Sequence, residues 1–371
     1  ILLTITKKLY PLKRKSFTYG KWHWDNIPIF IPLVWLSNFV VMHFIKGPVR
    51  WGIIGCGDVC EVKSGPAFNK VPGSSLEAVM RRDAKKVKDY AQRHKVPRFY
   101  TDAASLIQDS EVNAIYIATP PGSHETYAIE AMKAGKPVYI EKPVALNSEE
   151  CQRMITASTE YKVPASVAHY RRYLGIFERV KSIIDQKVLG SPKLAIIRLF
   201  HSHKPTQGVP VDNWRVKPEL SGGGLFYDLS PHQLDILYWI FGAPLKTAGF
   251  SFNQGKHYNS PDITSLTAVF NNNVFFQGLW SFNIPEHAKE DTFSIICEKG
   301  TLVFPFFTSF SKVTLAIQGS SPAEEEFVFP QHVQQPMIEQ VVKYFQGKAE
   351  NPCSLEDALV SMKMIEQGYS S

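Results

Sequence analysis

Lys142, set between Glu141 and Pro143, and the pair Asp228 and His232, four residues apart, are the side chains best suited to chemistry in this 371-residue chain. A lysine ammonium can hydrogen-bond an oxygen on which negative charge develops. A carboxylate one helical turn from an imidazole orients the ring and favours its protonated form, which suits a proton shuttle acting at that same oxygen. The role requires the helix to begin before Asp228. Ser230-Pro231-His232-Gln233 also fits a cap with proline at the first helical position, in which case Asp228 would only precede the helix.

A second constellation lies upstream. Val49 to Ile54 is a short apolar run ending in Gly55-Cys56-Gly57-Asp58-Val59-Cys60, the pattern of a buried strand meeting a glycine turn that opens a helix. Such glycines let the backbone approach a pyrophosphate, whose charge is met by the amides of Gly57, Asp58 and Val59 and by the positive end of the helix dipole. Cys60 replaces the third glycine of the G-x-G-x-x-G pattern, so strand and helix are expected to pack less closely. Further on, Arg81-Arg82 precede Asp83, where an acid would bond ribose hydroxyls and an arginine accommodates a 2′-phosphate. NADP(H) is therefore favoured, with NAD(H) open. A simple strand-to-loop turn and a solvated helix start would use the same residues without a ligand.

Strands and helices in alternation must carry these groups. Residues 76–80, 114–118 and 137–140 read as further strands, with helices over 83–94, 103–108 and 123–134. This builds a doubly wound parallel sheet, and Lys142 leaves the carboxyl end of one strand, where open sheets bind ligands. Residues 164–170 read as its last strand. Beyond it, 193–203, 246–252, 263–270, 274–282, 292–297 and 312–317 carry β-branched and aromatic residues, with Asn271-Asn272-Asn273 as a hairpin turn. The expected class is α/β followed by α+β. A dinucleotide-binding domain spans 48–169 and a substrate-binding and oligomerisation domain, an open and mostly antiparallel sheet, spans 170–371, with late helices over 335–345 and 354–368.

Ala118-Thr119-Pro120-Pro121, His124 and Glu141-Lys142-Pro143 follow the glycine turn in order, and Gly222-Gly223-Gly224 precedes Asp228 and His232. With these marks the chain, from about Pro48 to Gly368, resembles the glucose-fructose oxidoreductase, inositol dehydrogenase and rhizopine-catabolism (Gfo/Idh/MocA) family. Trp214-Arg215 ahead of Asp228 makes it similar to sugar-acting members such as 1,5-anhydrofructose reductases. The resemblance implies an NAD(P)-dependent oxidoreductase moving a hydride between nicotinamide and a carbonyl or alcohol carbon of a sugar or polyol. It implies that Lys142 contacts both ring and substrate, that the Lys142–Pro143 bond is cis, and that Thr119, Pro120, His124, Glu141, Trp214 and Arg215 serve the cofactor site. Tyr170 and Arg172 lie where the family passes to its substrate domain, and join Lys142, Trp214, Asp228 and His232 as substrate-pocket candidates; structural salt bridges would suit the two equally well. Alternatives within the fold are an NAD-dependent glycoside hydrolase and a non-catalytic dinucleotide sensor, the latter disfavoured by the intact Lys142 and Asp228–His232 set.

Composition excludes other classes. The net charge is +7, but residues 1–48 carry +6 of it, so the body is near neutral and offers no footprint for DNA or RNA. Hydrophobic content of 44% excludes wholesale disorder. Five scattered cysteines without a C-x-x-C pair, and dispersed histidines, point to no disulfide framework and no metal site, and fit a reducing, cytoplasmic setting. Residues 1–47 do not match the rest and are expected to be a leader outside the fold. Their apolar run, 27–45, makes a membrane anchor the alternative, weakened by Pro28 and Pro32. Phe275, Phe276, Trp280 and Phe282 suggest that the open sheet is buried on two sides. The resemblance places another subunit on that sheet, so a homodimer or higher homo-oligomer is expected.

Overall fold

The structure is a computed structural model that describes residues 42–202, 214–308 and 310–369. Most of the expected leader, with most of its apolar run, lies outside the described residues. Its last residues belong to the fold, contrary to expectation: His43 N donates to the Lys162 carbonyl at 2.7 Å, and Ile45 N to that of Phe345 at 2.8 Å.

Six parallel strands form the first sheet: β1 (Val49–Ile54), β2 (Ser74–Met80), β3 (Arg98–Tyr100), β4 (Ala114–Ile117), β5 (Val138–Ile140) and β6 (Ala165–Val167). Their order is β3-β2-β1-β4-β5-β6, so the winding reverses between β1 and β4, which opens a crevice at the carboxyl ends of those strands. Helices α1 (Asp58–Val62), α2 (Ala84–His94), α3 (Ala103–Gln108), α4 (His124–Lys133) and α5 (Ser148–Tyr161) connect them. Local chemistry sets several starts. Asp83, Asp102 and Asn147 cap α2, α3 and α5 by accepting backbone N–H bonds, each satisfying a donor that the helix itself cannot.

After α6 (Gly175–Asp185) the second sheet begins with β7 (Pro192–Ser202). The short α7 (Pro218–Ser221) and long α8 (Leu225–Phe241) follow, then β8 (Pro244–Phe252), β9 (Ile263–Phe270), β10 (Phe275–Ile284), β11 (Glu290–Cys297), β12 (Gly300–Phe304), β13 (Phe310–Ile317) and β14 (Ala323–Val328). The order is β14-β13-β12-β11-β7-β10-β9-β8. Every neighbouring pair is antiparallel except β7 with β10. Alternation buries one face: Phe276, Trp280 and Phe282 all project to the covered side, and Phe226 of α8 meets the Trp280 ring at 4.9 Å. Phe275 alone of the four sequence candidates lies on the open side. There it shares the surface with Phe250, Phe252 and Ile296, all exposed.

Helices α9 (Gln335–Phe345) and α10 (Leu355–Tyr369) return to the first sheet. Phe345 packs 5.5 Å from Trp51 of β1, and Glu366 of α10 accepts from both the backbone and the hydroxyl of Ser148 at the start of α5. The carboxyl end of the chain thus ties the two sheets together.

Candidate active site

Lys142 follows β5 at the sheet's carboxyl edge, and its peptide bond to Pro143 is cis, as the resemblance implied. Its Nζ reaches α8, donating to the Asp228 carbonyl and to Asp228 Oδ1, both at 2.9 Å. Two of the three ammonium protons are so used, which leaves a third for a ligand oxygen. The glycines ahead of α8 set this geometry. Gly222 and Gly224 hold φ of +90° and +88°, and Ser221 Oγ accepts from the N–H groups of Gly223 and Gly224. A Cβ on Gly224 would lie 2.1 Å from Ser260 Oγ. The helix therefore begins at Leu225, with Asp228 in its first turn and His232 one turn on along the same face; the start at Ser230 does not form.

Asp228 is nearly enclosed, and its second oxygen pairs with Arg215 Nε at 3.2 Å. Burial would raise its pKa, but Lys142 and Arg215 together outweigh that and hold it below the usual carboxylate value. Arg215 itself lies 4.7 Å over the ring of Trp214, so both residues adjoin the site.

The sequence reading paired Asp228 with His232 as a source of positive charge on the imidazole. The structure reverses the sign. Asp228 is committed to two cations, and the buried His232 Nδ1 has no hydrogen-bond partner. Burial first, then the charges of Lys142, Arg171, His169 and Lys63, push its pKa well below the ordinary 6.5. His232 rests as a neutral imidazole, a proton acceptor rather than a stored proton.

Tyr170 packs edge-on against His232, ring centroids 5.3 Å apart, and so belongs to the pocket. Arg172 does not. It is buried in a bidentate pair with Asp235 at 2.6 and 2.9 Å, with a further bond to Asp357 at 2.9 Å, which commits its charge to joining α8 to the start of α10. The neighbour that sequence reasoning passed over is Arg171, among aromatic rings beside His232. The signal was the adjacent arginine pair, which does not reveal which member faces inward.

The glycine turn fits a dinucleotide. A Cβ on Gly55 would meet Thr119 N at 2.8 Å, so the protein's own packing demands glycine there. Gly57 is different: it has an ordinary φ of −106°, and a Cβ there would touch nothing closer than 3.9 Å. The fold does not require that glycine, whereas close approach of a phosphate does. Exposed Asp58 and half-buried Val59 open α1, whose N-terminus has no side-chain cap. Cys60 is fully buried, its Sγ 3.9 Å from the Gly55 carbonyl, and α1 is only five residues long.

At the end of β2, Arg81 lays its Nη1 3.3 Å from the Cys56 carbonyl, Arg82 is exposed, and the Asp83 carboxylate is spent on capping α2. Thr119 and Pro120 form the facing loop, braced by Ser123, whose hydroxyl donates to Thr119 Oγ1 at 2.8 Å. Two expected cofactor residues stand behind the site instead. The buried His124 sets Nε2 2.7 Å from the Thr119 carbonyl and Nδ1 3.3 Å from that of Val144. Burial outweighs those two acceptors and pushes its pKa down to about 4. The Glu141 carboxylate accepts from the Tyr116 hydroxyl, from Gln334 and from the Lys142 N–H. It fixes the strand end that carries Lys142.

Comparison with known proteins agrees with this arrangement. Residues 49–169 match a family described as oxidoreductases with an NAD-binding Rossmann fold, and residues 177–303 match the GFO/IDH/MocA C-terminal domain. The chain is 43% identical over 326 residues, 87% of its length, to "Oxidoreductase P35" of Formosa agariphila, covering 98% of that protein. It is 26% identical over 208 residues to the 1,5-anhydro-D-fructose reductase of Ensifer adhaerens, 56% of this chain and 61% of that one. Among solved structures, levoglucosan dehydrogenase in complex with NADH and levoglucosan shares the fold, with TM-score 0.76 at 18% identity over 86% of this chain and 96% of that chain. The chain belongs to the Gfo/Idh/MocA family of NAD(P)-dependent oxidoreductases.

Proposed function

We propose that the protein transfers a hydride between NADP(H) and a carbonyl or secondary alcohol carbon of a sugar or polyol. The observation that carries this is the convergence of one amine and one neutral imidazole on a single helical turn: Lys142 is bonded to Asp228, and His232 follows one turn later. Bound nicotinamide would supply or accept the hydride at the substrate carbon. Lys142 holds the reacting oxygen, Asp228, itself paired with Arg215, holds Lys142 in place, and His232 takes the hydroxyl proton in the oxidative direction and returns it in the reductive one. Tyr170 and Trp214 line the same pocket. Sugar and cyclitol chemistry is supported by the names of relatives, 1,5-anhydro-D-fructose reductase and inositol 2-dehydrogenase among them. The preference for NADP(H) is supported by Arg81 beside the glycine turn and by the commitment of Asp83 to α2. The division of labour between 48–169 and 170–371 is part of this proposal, as is a partner of the same chain on the exposed apolar face of the second sheet.

Fluorescence titration with NADPH and NADH, followed by keto-sugars, inositols and aldoses monitored for nicotinamide turnover, tests the whole. The expected result is tighter NADPH binding and net NADPH consumption with a keto-sugar. A glycoside hydrolase would show no net consumption. Lys142→Met is expected to bind NADPH but lose roughly a thousandfold in kcat, on the scale of removing a group that stabilises developing charge; undiminished turnover would reject the mechanism.

A further inference from the structure

Arg171 is an unusual guanidinium. It is 7% exposed, and among the described residues no carboxylate comes within 4.0 Å of it. Its Nη1 donates to the Phe306 carbonyl at 2.6 Å, while its buried Nε has no partner. Rings surround it: Phe307 at 4.9 Å, Phe306 at 5.0 Å, Tyr170 at 5.6 Å and Phe177 at 5.9 Å from the guanidinium carbon. Cation–π contacts compensate part of the desolvation, but an unmatched buried donor and charge remain costly. The nearest acid, Asp291, uses its two oxygens on the N–H groups of Phe306 and Phe307 and so fixes that turn.

The place of Arg171 gives the charge a use. Tyr170 and Phe307, two of its four rings, are also the rings that pack against His232, at 5.3 and 6.1 Å. Lys142 and Arg171 both act on the imidazole, and the nearby Asp228 carboxylate is already shared between Lys142 and Arg215. We propose that the substrate carries a carboxylate, held by the Nε edge of Arg171, so that the ligand is a sugar acid rather than a neutral sugar. Nη1 is taken by the Phe306 carbonyl and the Tyr170 hydroxyl lies beside the guanidinium, so the partnerless Nε is the donor left for a carboxylate oxygen. A phosphate or sulfate ester would bring a third oxygen to a cage of three phenylalanine rings and Tyr170. Phe307 is the partly exposed member of the cage, the side from which an anion would reach Arg171.

The proposal rests on the dehydrogenase reading for its chemistry. The alcohol carbon gives its hydride to NAD(P)+, the hydroxyl proton goes to His232, and the products are a ketone or lactone carbonyl, NAD(P)H and one proton; the carboxylate is unchanged throughout.

Paired ligands test it on the full chain saturated with NADP+: D-glucuronate against D-glucose and D-galacturonate against D-galactose, with glucose 6-sulfate added, by calorimetry and by nicotinamide absorbance. The acids are expected to bind roughly 30-fold more tightly than their neutral partners, the scale of a charge-assisted hydrogen bond. Arg171→Gln should abolish that ratio and Arg171→Lys, which keeps charge without the fork, should retain part of it. Equal or weaker binding of both acids by the unaltered protein overturns the proposal without any variant, as does tighter binding of the sulfate ester, or an acid preference that survives in R171Q. Selective binding of the acids with no NADPH formed from any sugar would instead reject the dehydrogenase reading and leave the anion site standing.

Discussion

Gly57 separates what the fold needs from what the ligand needs. Because its φ is ordinary and its Cβ position is open, Gly57→Val is expected to leave thermal stability within about 1 kcal/mol of the parent, since surface changes away from special backbone cost little. The same substitution should weaken NADPH binding by at least about tenfold, because the backbone can no longer approach a phosphate; titration and thermal melts read the two effects separately. Histidine gives a second residue-scale expectation. His124 is neutral in the fold, its pKa near 4, whereas an unfolded chain takes up the proton near 6.5. Below 6.5 the unfolded state therefore binds more protons, and stability is lost as pH falls from 6.5 towards 4, by up to about 3 kcal/mol from this residue. Buried His169 and His232 act in the same direction, and urea unfolding at pH 7 and pH 5 measures the sum. Lys142, Asp228 and the glycine turn were legible in the sequence because spacing along one strand end or one helix fixes them. The state of His232 was not, because it is set first by burial and then by the charges of Lys142, Arg171, His169 and Lys63, all remote in sequence.

At the scale of elements, α8 is held by a charge cluster that cannot be relieved by water. Asp235 is 1% exposed, and its partner Arg172 is buried with it. Asp235→Ala is expected to destabilise the protein by about 3–5 kcal/mol because it strands a buried guanidinium. The double change Arg172→Met with Asp235→Leu should cost less than Asp235→Ala alone, and chemical denaturation decides the order. The elements foreseen from the sequence are those with strong local signals: the β1 and β4 apolar runs, the capped α2, the hairpin at Asn271–Asn273, where Asn273 takes a φ of +61°. β3, β12 and β14 were not foreseen. β3 is three residues with Phe99 facing solvent, and β14 reads Ala-Glu-Glu-Glu-Phe-Val, a charged edge strand whose pairing with β13 comes from register rather than hydrophobicity. α5, with its Asn147 cap, carried a readable signal that the sequence reading did not use.

For the molecule as a whole, the exposed side of the second sheet is the face that none of the described residues covers. Phe250 and Phe252 are more than half exposed and lie on the same side as Phe275 and Ile296 across in-register strands. Exposed apolar side chains gathered on one sheet face are the usual mark of a surface that binds another protein. Light scattering coupled to size exclusion at micromolar concentration is expected to return a dimer or larger assembly, and Phe250→Asp with Phe275→Asp to shift it towards monomer; a monomer from the unaltered chain would contradict the assembly. No helix among the described residues is long and apolar enough to cross a membrane.

α10 carries a consequence for biosynthesis. Its Tyr369 hydroxyl bonds the Gly223 carbonyl and its flank packs on α5 and α8, so it seats the turn from which Asp228 is launched. A nascent polypeptide leaves the ribosome with its glycine turn and Lys142 long before that clamp has been translated, and early segments fold as they emerge. A stalled or clipped product lacking the last helix would leave that turn unseated and its reaction chamber unassembled.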